Sequence, residues 1–182
     1  MKNALNISLF GEEGIGKSTL IQDYINQNNN KYKKEKGGNY SFIKTFKEGV
    51  SMKLSLYEYN SIPDKKTKDI AGHHCIIIIF DMTSRNAFED VLDKWIKFLR
   101  DIKYNNSIIL FGTKNLKNEK ALPMTDEAEI KDLIQVADIK GEFYDIGNKT
   151  KEQKNQLIDN LKKLMKMQKI MLIKIIVLFT KK

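Results

Sequence analysis

Gly11-Glu12-Glu13-Gly14-Ile15-Gly16-Lys17-Ser18 is the stretch from which the rest of this chain is read. It fits the pattern G-x-x-x-x-G-K-[ST]. Leu5 to Phe10, just before it, alternates like a strand. Leu20, Ile21, Tyr24 and Ile25, just after it, recur at helical spacing, which predicts a helix from Lys17 to about Gln27. Glycines at such a junction let backbone N–H groups turn inward and form an anion cradle. The N-terminus of the following helix adds partial positive charge at the same point. A lysine placed like Lys17 reaches the outer phosphates of a nucleotide, and a hydroxyl placed like Ser18 ligates Mg²⁺. Gly11, Glu13, Gly14, Ile15, Gly16, Lys17, Ser18 and Thr19 are therefore the expected phosphate-binding residues. The plainer alternative is a glycine turn with an N-capping serine.

Outward from this loop the pattern alternates. Asn28 to Gly38 is polar, lysine-rich and reads as a loop. Ser41 to Phe46 and Val50 to Tyr57 read as two strands of an antiparallel hairpin. Ser61 to Ala71 reads as irregular or weakly helical. Cys75 to Phe80 is a continuous apolar run, the mark of a strand buried on both faces of a parallel sheet. A helix is predicted from Ala87 to about Lys103, with Val91, Trp95, Phe98, Leu99 and Ile102 inward, then a strand from Ser107 to Phe111. A helix over Asp126 to Asp138, a short strand over Glu142 to Ile146 and a helix from Lys151 onward complete the series. Such an order predicts an α/β fold, mostly parallel, with helices on both faces and its ligand at the carboxyl ends of the strands.

Composition narrows the class. A chain of 182 residues with 41% hydrophobic and 30% charged residues has about one domain's worth of core-forming material. A single cysteine, Cys75, excludes an internal disulfide framework and a multi-cysteine zinc site. Met1 to Phe10 lacks the apolar core of a signal peptide, so a reducing intracellular compartment is the default expectation. The net charge is +9, yet only Arg85 and Arg100 are arginines among the 32 basic residues. Lysines spread along the whole chain read as solvated faces, so no nucleic-acid partner is expected.

The chain resembles the Ras superfamily of small GTPases, and within it the Rab branch. The resemblance is densest in Ala71-Gly72-His73-His74-Cys75-Ile76-Ile77-Ile78-Ile79-Phe80-Asp81-Met82-Thr83-Ser84-Arg85-Asn86-Ala87-Phe88. That stretch is similar to the Rab pattern R-G-A-H-G-I-I-V-V-Y-D-V-T-N-x-x-S-F. Trp95 and Ile96 resemble the W-[IL] that follows it, and Ile108 to Lys114 resembles I-x-L-V-G-N-K. The resemblance implies a three-layer P-loop NTPase fold. Its sheet would be mostly parallel and six-stranded, with one antiparallel edge hairpin and helices on both faces. It implies a small GTPase-like domain over residues 1–168, with a hydrophobic and basic tail over 169–182. It implies Mg²⁺ and GTP or GDP as ligands, with Ser18 and Glu58 on the metal. Thr113 and Lys114, together with Gly147, Asn148 and Lys149, are the implied base contacts. The implied role is a guanine-nucleotide switch in intracellular vesicle trafficking. It would act through protein effectors and regulators, in the cytoplasm or at the periphery of an endomembrane.

Several motifs depart from the family. Gly37 or Gly38 stands where a switch I threonine would close over Mg²⁺, and neither has a hydroxyl. D-x-x-G becomes Glu58-Tyr59-Asn60-Ser61, a carboxylate one methylene longer. Ile62 takes the place of the water-orienting glutamine, and an isoleucine cannot orient water. Glu13 puts a carboxylate where the family has a small residue near the γ-phosphate. [NT]-K-x-D becomes Thr113-Lys114-Asn115-Leu116, and S-A-K becomes Gly147-Asn148-Lys149. Losing two hydrogen bonds to a charged acceptor, at about 1.5–3 kcal/mol each, removes about two to four decades of guanine affinity. No residue is a catalytic candidate. Hydrolysis is expected to be slow or defective, and the competing expectation is a pseudoGTPase that scaffolds without hydrolysis.

Other residues carry less. Cys75 reads as a buried structural thiol, and His73 and His74 as packing or surface residues. Tyr32 or Tyr40 stacking on the base competes with both being ordinary loop tyrosines. The chain ends Phe179-Thr180-Lys181-Lys182 with no cysteine in reach, so no prenyl anchor is expected. The apolar run 170–179 is too short to span a bilayer. It reads as an extension of the last helix, as an interfacial membrane-surface anchor, or as translated AT-rich intron text.

Overall fold

The computed structural model describes residues 4–27, 32–34, 39–45, 51–64, 69–113, 122–137 and 143–145. All of them lie in one compact unit, Met1–Asn148. The expected division at 168/169, the tail and the helix from Lys151 fall outside the described residues.

Strand β1 (Ala4–Phe10) leads through the glycine loop into helix α1 (Lys17–Gln27). Three strands follow: β2 (Tyr32–Lys34), β3 (Tyr40–Thr45) and β4 (Ser51–Tyr59). A short 3-10 turn, Ile70–Gly72, precedes β5 (Cys75–Asp81). Helix α2 (Arg85–Asp90) runs through a π turn, Val91–Ile96, into α3 (Lys97–Asp101). Strand β6 (Ser107–Thr113), helix α4 (Glu127–Val136) and strand β7 (Phe143–Asp145) complete the order.

The strands form a single sheet in the order β2-β3-β4-β1-β5-β6-β7. Strands β4, β1, β5, β6 and β7 are mutually parallel. Strands β3 and β2 add antiparallel at one edge. The fold class is the one expected, with seven strands in place of six. The additional strand, β2, lies inside the stretch read from sequence as a loop. Lysines hide such a strand, because an edge strand is held by backbone pairing and needs no apolar face.

Every residue of β5 is buried, as its unbroken apolar run requires. On one face of the sheet, Phe10, Ile76, Ile78, Phe80 and Leu110 pack with Val91, Trp95, Phe98 and Leu99 and with Ile130 and Leu133 of α4. The alternate residues of β1, Leu5, Ile7 and Leu9, are buried outside that cluster, as are Ile21 and Ile25 of α1. Two side-chain helix caps among the described residues are local. Ser84 Oγ accepts from Ala87 N–H at 3.2 Å. Asp126 Oδ1 accepts from Glu129 N–H at 2.8 Å while Glu129 Oε2 accepts from Asp126 N–H, a reciprocal capping box. The π turn widens the helix by one residue and seats Trp95 against Phe10, ring centroids 5.3 Å apart.

Candidate functional site

The loop between β1 and α1 is built by backbone conformation. Gly11, Gly14 and Gly16 have φ of 152°, 78° and 101°, all in the region that favours glycine. At Gly11 a Cβ would lie 2.5 Å from the Ile79 carbonyl oxygen, so the loop passes against β5 too closely for any side chain. Gly14 and Gly16 have open space around them instead. Ile15 N–H donates to Glu12 O, and Leu20 N–H donates to Gly16 O as α1 begins. The first turn of α1 itself contains no acidic residue.

Lys17 is 4% exposed. Its Nζ donates to Gly11 O at 2.8 Å and to Glu12 O at 2.6 Å, closing the loop over its own side chain. Burial pushes the Lys17 amine below its ordinary range, and the carboxylates of Glu58, Glu13 and Glu12 pull it back up. Sequence reasoning had passed over Glu12, whose carbonyl holds this lysine. No sequence signal marks that role, because a backbone oxygen has no residue type. Glu13 is exposed.

Ser18 Oγ donates to Glu58 Oε2 at 2.8 Å. Glu58 stands opposite Leu9 near the end of β4, inside the strand rather than after it as the motif spacing predicts. Its other oxygen, Oε1, is buried with no hydrogen-bond partner among the described residues. A buried acceptor left this way costs about 1–3 kcal/mol unless an ion or water meets it. Ser18 and Glu58 thus offer hard oxygen donors, the kind that Mg²⁺ takes.

The expected base contacts are described only in part. Thr113 ends β6 opposite Asp81, and its carbonyl accepts from Met82 N–H at 2.8 Å. Lys114, Gly147, Asn148 and Lys149 lie outside the described residues, as do Asn115 and Leu116. Their flanking strands are informative, since β6 and β7 are parallel neighbours with Gly112 opposite Asp145. The carboxyl ends of β6 and β7 therefore lie at the same end of the sheet as that of β1. Asp81 closes that end of β5, its Oδ1 accepting from Thr83 N–H and Thr83 Oγ1 at 2.8 and 2.7 Å.

Two expectations change. Tyr40 is 2% exposed in β3, so it is a core residue and not a base-stacking loop tyrosine. Tyr32 lies in β2, not in a loop. Ile62, in the glutamine's position, packs partly buried against the main apolar cluster.

Compared with known protein families, the chain matches the Ras family over residues 6–167. This chain belongs to the Ras family. Among Ras-family relatives it is 22% identical to the Ras-related protein RABC2b of Arabidopsis thaliana over 163 residues, 87% of this chain and 78% of that protein. It is 24% identical to the Ypt/Rab-type GTPase ypt7 of Schizosaccharomyces pombe over 98 residues. It is 22% identical to Ras-related protein Rab7 of Drosophila melanogaster, also over 98 residues. These last two matches cover 52% of this chain and 47% of each relative, about half its length. The chain is thus a Rab-like small GTPase by family. Membership implies guanine-nucleotide binding, usually with Mg²⁺, and the oxygens of Ser18 and Glu58 fit that ion. No helix among the described residues is long and apolar enough to cross a membrane.

Proposed function

We propose that this protein is a Rab-like guanine-nucleotide-binding protein of intracellular vesicle trafficking that hydrolyses GTP slowly or not at all. The observation that carries the reading is the glycine loop, folded around Lys17 with Ser18 set against Glu58. Gly11, Glu13, Gly14, Ile15, Gly16, Lys17, Ser18 and Thr19 line the phosphates in this reading. Mg²⁺ sits at Ser18 and Glu58. Thr113, Lys114, Gly147, Asn148 and Lys149 meet the base, the Gly147-Asn148-Lys149 segment through a backbone N–H that survives any side-chain change. The protein acts in the cytoplasm or at an endomembrane surface, and its effectors and regulators read residues 33–43 and 58–72. Slow hydrolysis is supported by Ile62, an apolar side chain turned to the core where a water must be oriented.

A second reading, a pseudoGTPase scaffold, is favoured by one observation: Leu116 stands where a carboxylate would accept two hydrogen bonds from guanine. One experiment separates the two. The purified protein is denatured, any released nucleotide is identified by chromatography, and fresh protein is titrated with fluorescent GDP, GTP and ATP analogues in Mg²⁺. Stoichiometric guanine nucleotide supports the first reading. No nucleotide, or equal affinity for guanine and adenine, overturns it and leaves the scaffold.

A further inference from the structure

Two acidic residues, Glu12 and Glu13, stand exposed on the glycine loop, the part of the site built to hold anions. Ile15 N–H donates to Glu12 O and closes a four-residue turn, with Glu13 and Gly14 at its corners. Lys17 Nζ donates to the same Glu12 oxygen at 2.6 Å. That oxygen belongs to the trans peptide joining Glu12 to Glu13, so the amine lies within about 5.5 Å of Glu13 Cα. Burial lowers the Lys17 amine, and Glu58, then Glu13, then Glu12 oppose that through space. Glu58 is bound to Ser18, whereas Glu13 forms no ion pair among the described residues. Glu13 therefore sets a solvent-exposed negative charge beside the buried cation of the loop.

We propose that the Glu13 carboxylate makes this cradle select a nucleoside diphosphate over the triphosphate. The inference rests on the nucleotide-binding reading above and deepens it. A lysine in the place of Lys17 holds the outer phosphates of a nucleotide. A carboxylate set beside that lysine is set beside the same phosphates. A triphosphate brings one more phosphoryl group, with its negative charge, to that place. Like charges about 6 Å apart weaken binding about three- to tenfold when water screens them, and more where the loop excludes water. The penalty falls on the outermost phosphate, because the backbone N–H groups of the loop serve both nucleotides alike. Such a cradle rests in its diphosphate form.

Dissociation constants are measured in Mg²⁺ for fluorescent GDP and for a fluorescent GTP analogue with nitrogen bridging its β- and γ-phosphates. Wild type is expected to bind GDP about three- to tenfold more tightly than the analogue. Glu13→Gln, of the same shape without the charge, is expected to lose that preference by tightening the analogue more than GDP. Added salt is expected to shrink the preference of wild type and to leave the ratio in Glu13→Gln unmoved, which a merely structural role would not do. An equal preference in wild type and Glu13→Gln, a preference that salt does not change, or a wild type that favours the analogue overturns the proposal. If neither nucleotide binds, the nucleotide reading itself has failed, and the loop is probed by calorimetry with pyrophosphate and tripolyphosphate. Pyrophosphate favoured by wild type and not by Glu13→Gln supports the proposal. Equal binding of the two, or none, overturns it.

Discussion

At Gly11 the chain leaves β1 with φ of 152°, and a Cβ there would lie 2.5 Å from the Ile79 carbonyl oxygen. Neither constraint belongs to a flexible neighbour that can move aside. Gly11→Ala is expected to cost about 1–3 kcal/mol of stability from backbone strain, with the collision adding to it, read as a lower urea midpoint. His73 gives a second residue-scale expectation. It is 2% exposed, stacks on Tyr57 with centroids 4.6 Å apart and shares a hydrogen bond with Ser8 Oγ. Burial pushes the imidazoles of His73 and His74 below their ordinary value of 6.5, with Asp69 opposing this at His73. A histidine whose folded pKa is lowered is protonated first in the unfolded chain. Stability is therefore complete above about pH 6.5 and falls as pH drops from there through the lower folded values. Melting temperature followed from pH 7.5 to 5 is expected to decline over that window. The decline shrinks in a His73→Gln, His74→Gln double variant. At this scale Lys17 and Ser18 were legible, because motif spacing alone marks them. That Ser18 and Glu58 come together was implied by the family resemblance, which puts both on one metal, and not by spacing, because the two lie forty positions apart and strand pairing brings them together.

Elements are held by a mixture of local and distant causes. Helix α4 begins at a reciprocal capping box between Asp126 and Glu129. Asp126→Ala is expected to cost about 1 kcal/mol in chemical denaturation, since one cap bond is lost and N–H groups at the helix start lose their acceptor. Strand β5 depends on burial. Ile78 is fully buried among Phe10, Phe80 and Trp95 in the main cluster. Ile78→Ala is expected to cost about 2–5 kcal/mol by the same measurement, because a packed cluster closes only partly over the space left. Strand β5 and helix α1 were readable because their periodicity is strong. Strand β2 was not, because Tyr32–Lys34 carries no alternation and is made a strand by Ser41 and its neighbours on β3. The π turn in the α2–α3 helix also had no signature. Val91, Trp95 and Phe98 satisfy ordinary helical spacing, and packing against Phe10 takes up the extra residue.

For the whole molecule the decisive fact is that parallel strands share a direction. Strands β1, β4, β5, β6 and β7 deliver their following loops to one end of the sheet. The glycine loop, Ser18 and Glu58 lie at that end, although Ser18 and Glu58 are forty positions apart in the chain. The family-level consequence of Leu116 is testable at this scale. Leu116→Asp is expected to raise the preference for GDP over ADP by about two decades or more, measured as competing dissociation constants. The sequence by itself determined the family, the layer order and the residues of the glycine loop. Those are carried by local spacing, by unbroken apolar runs and by glycines that no other residue can replace. Only the tertiary structure decided that Lys17 turns onto the carbonyls of Gly11 and Glu12, that Tyr40 and Ile62 pack against the core, and that Ser18 donates a hydrogen bond directly to Glu58. Each of these follows from which strands lie side by side, and a linear pattern does not encode distances between residues far apart in the chain.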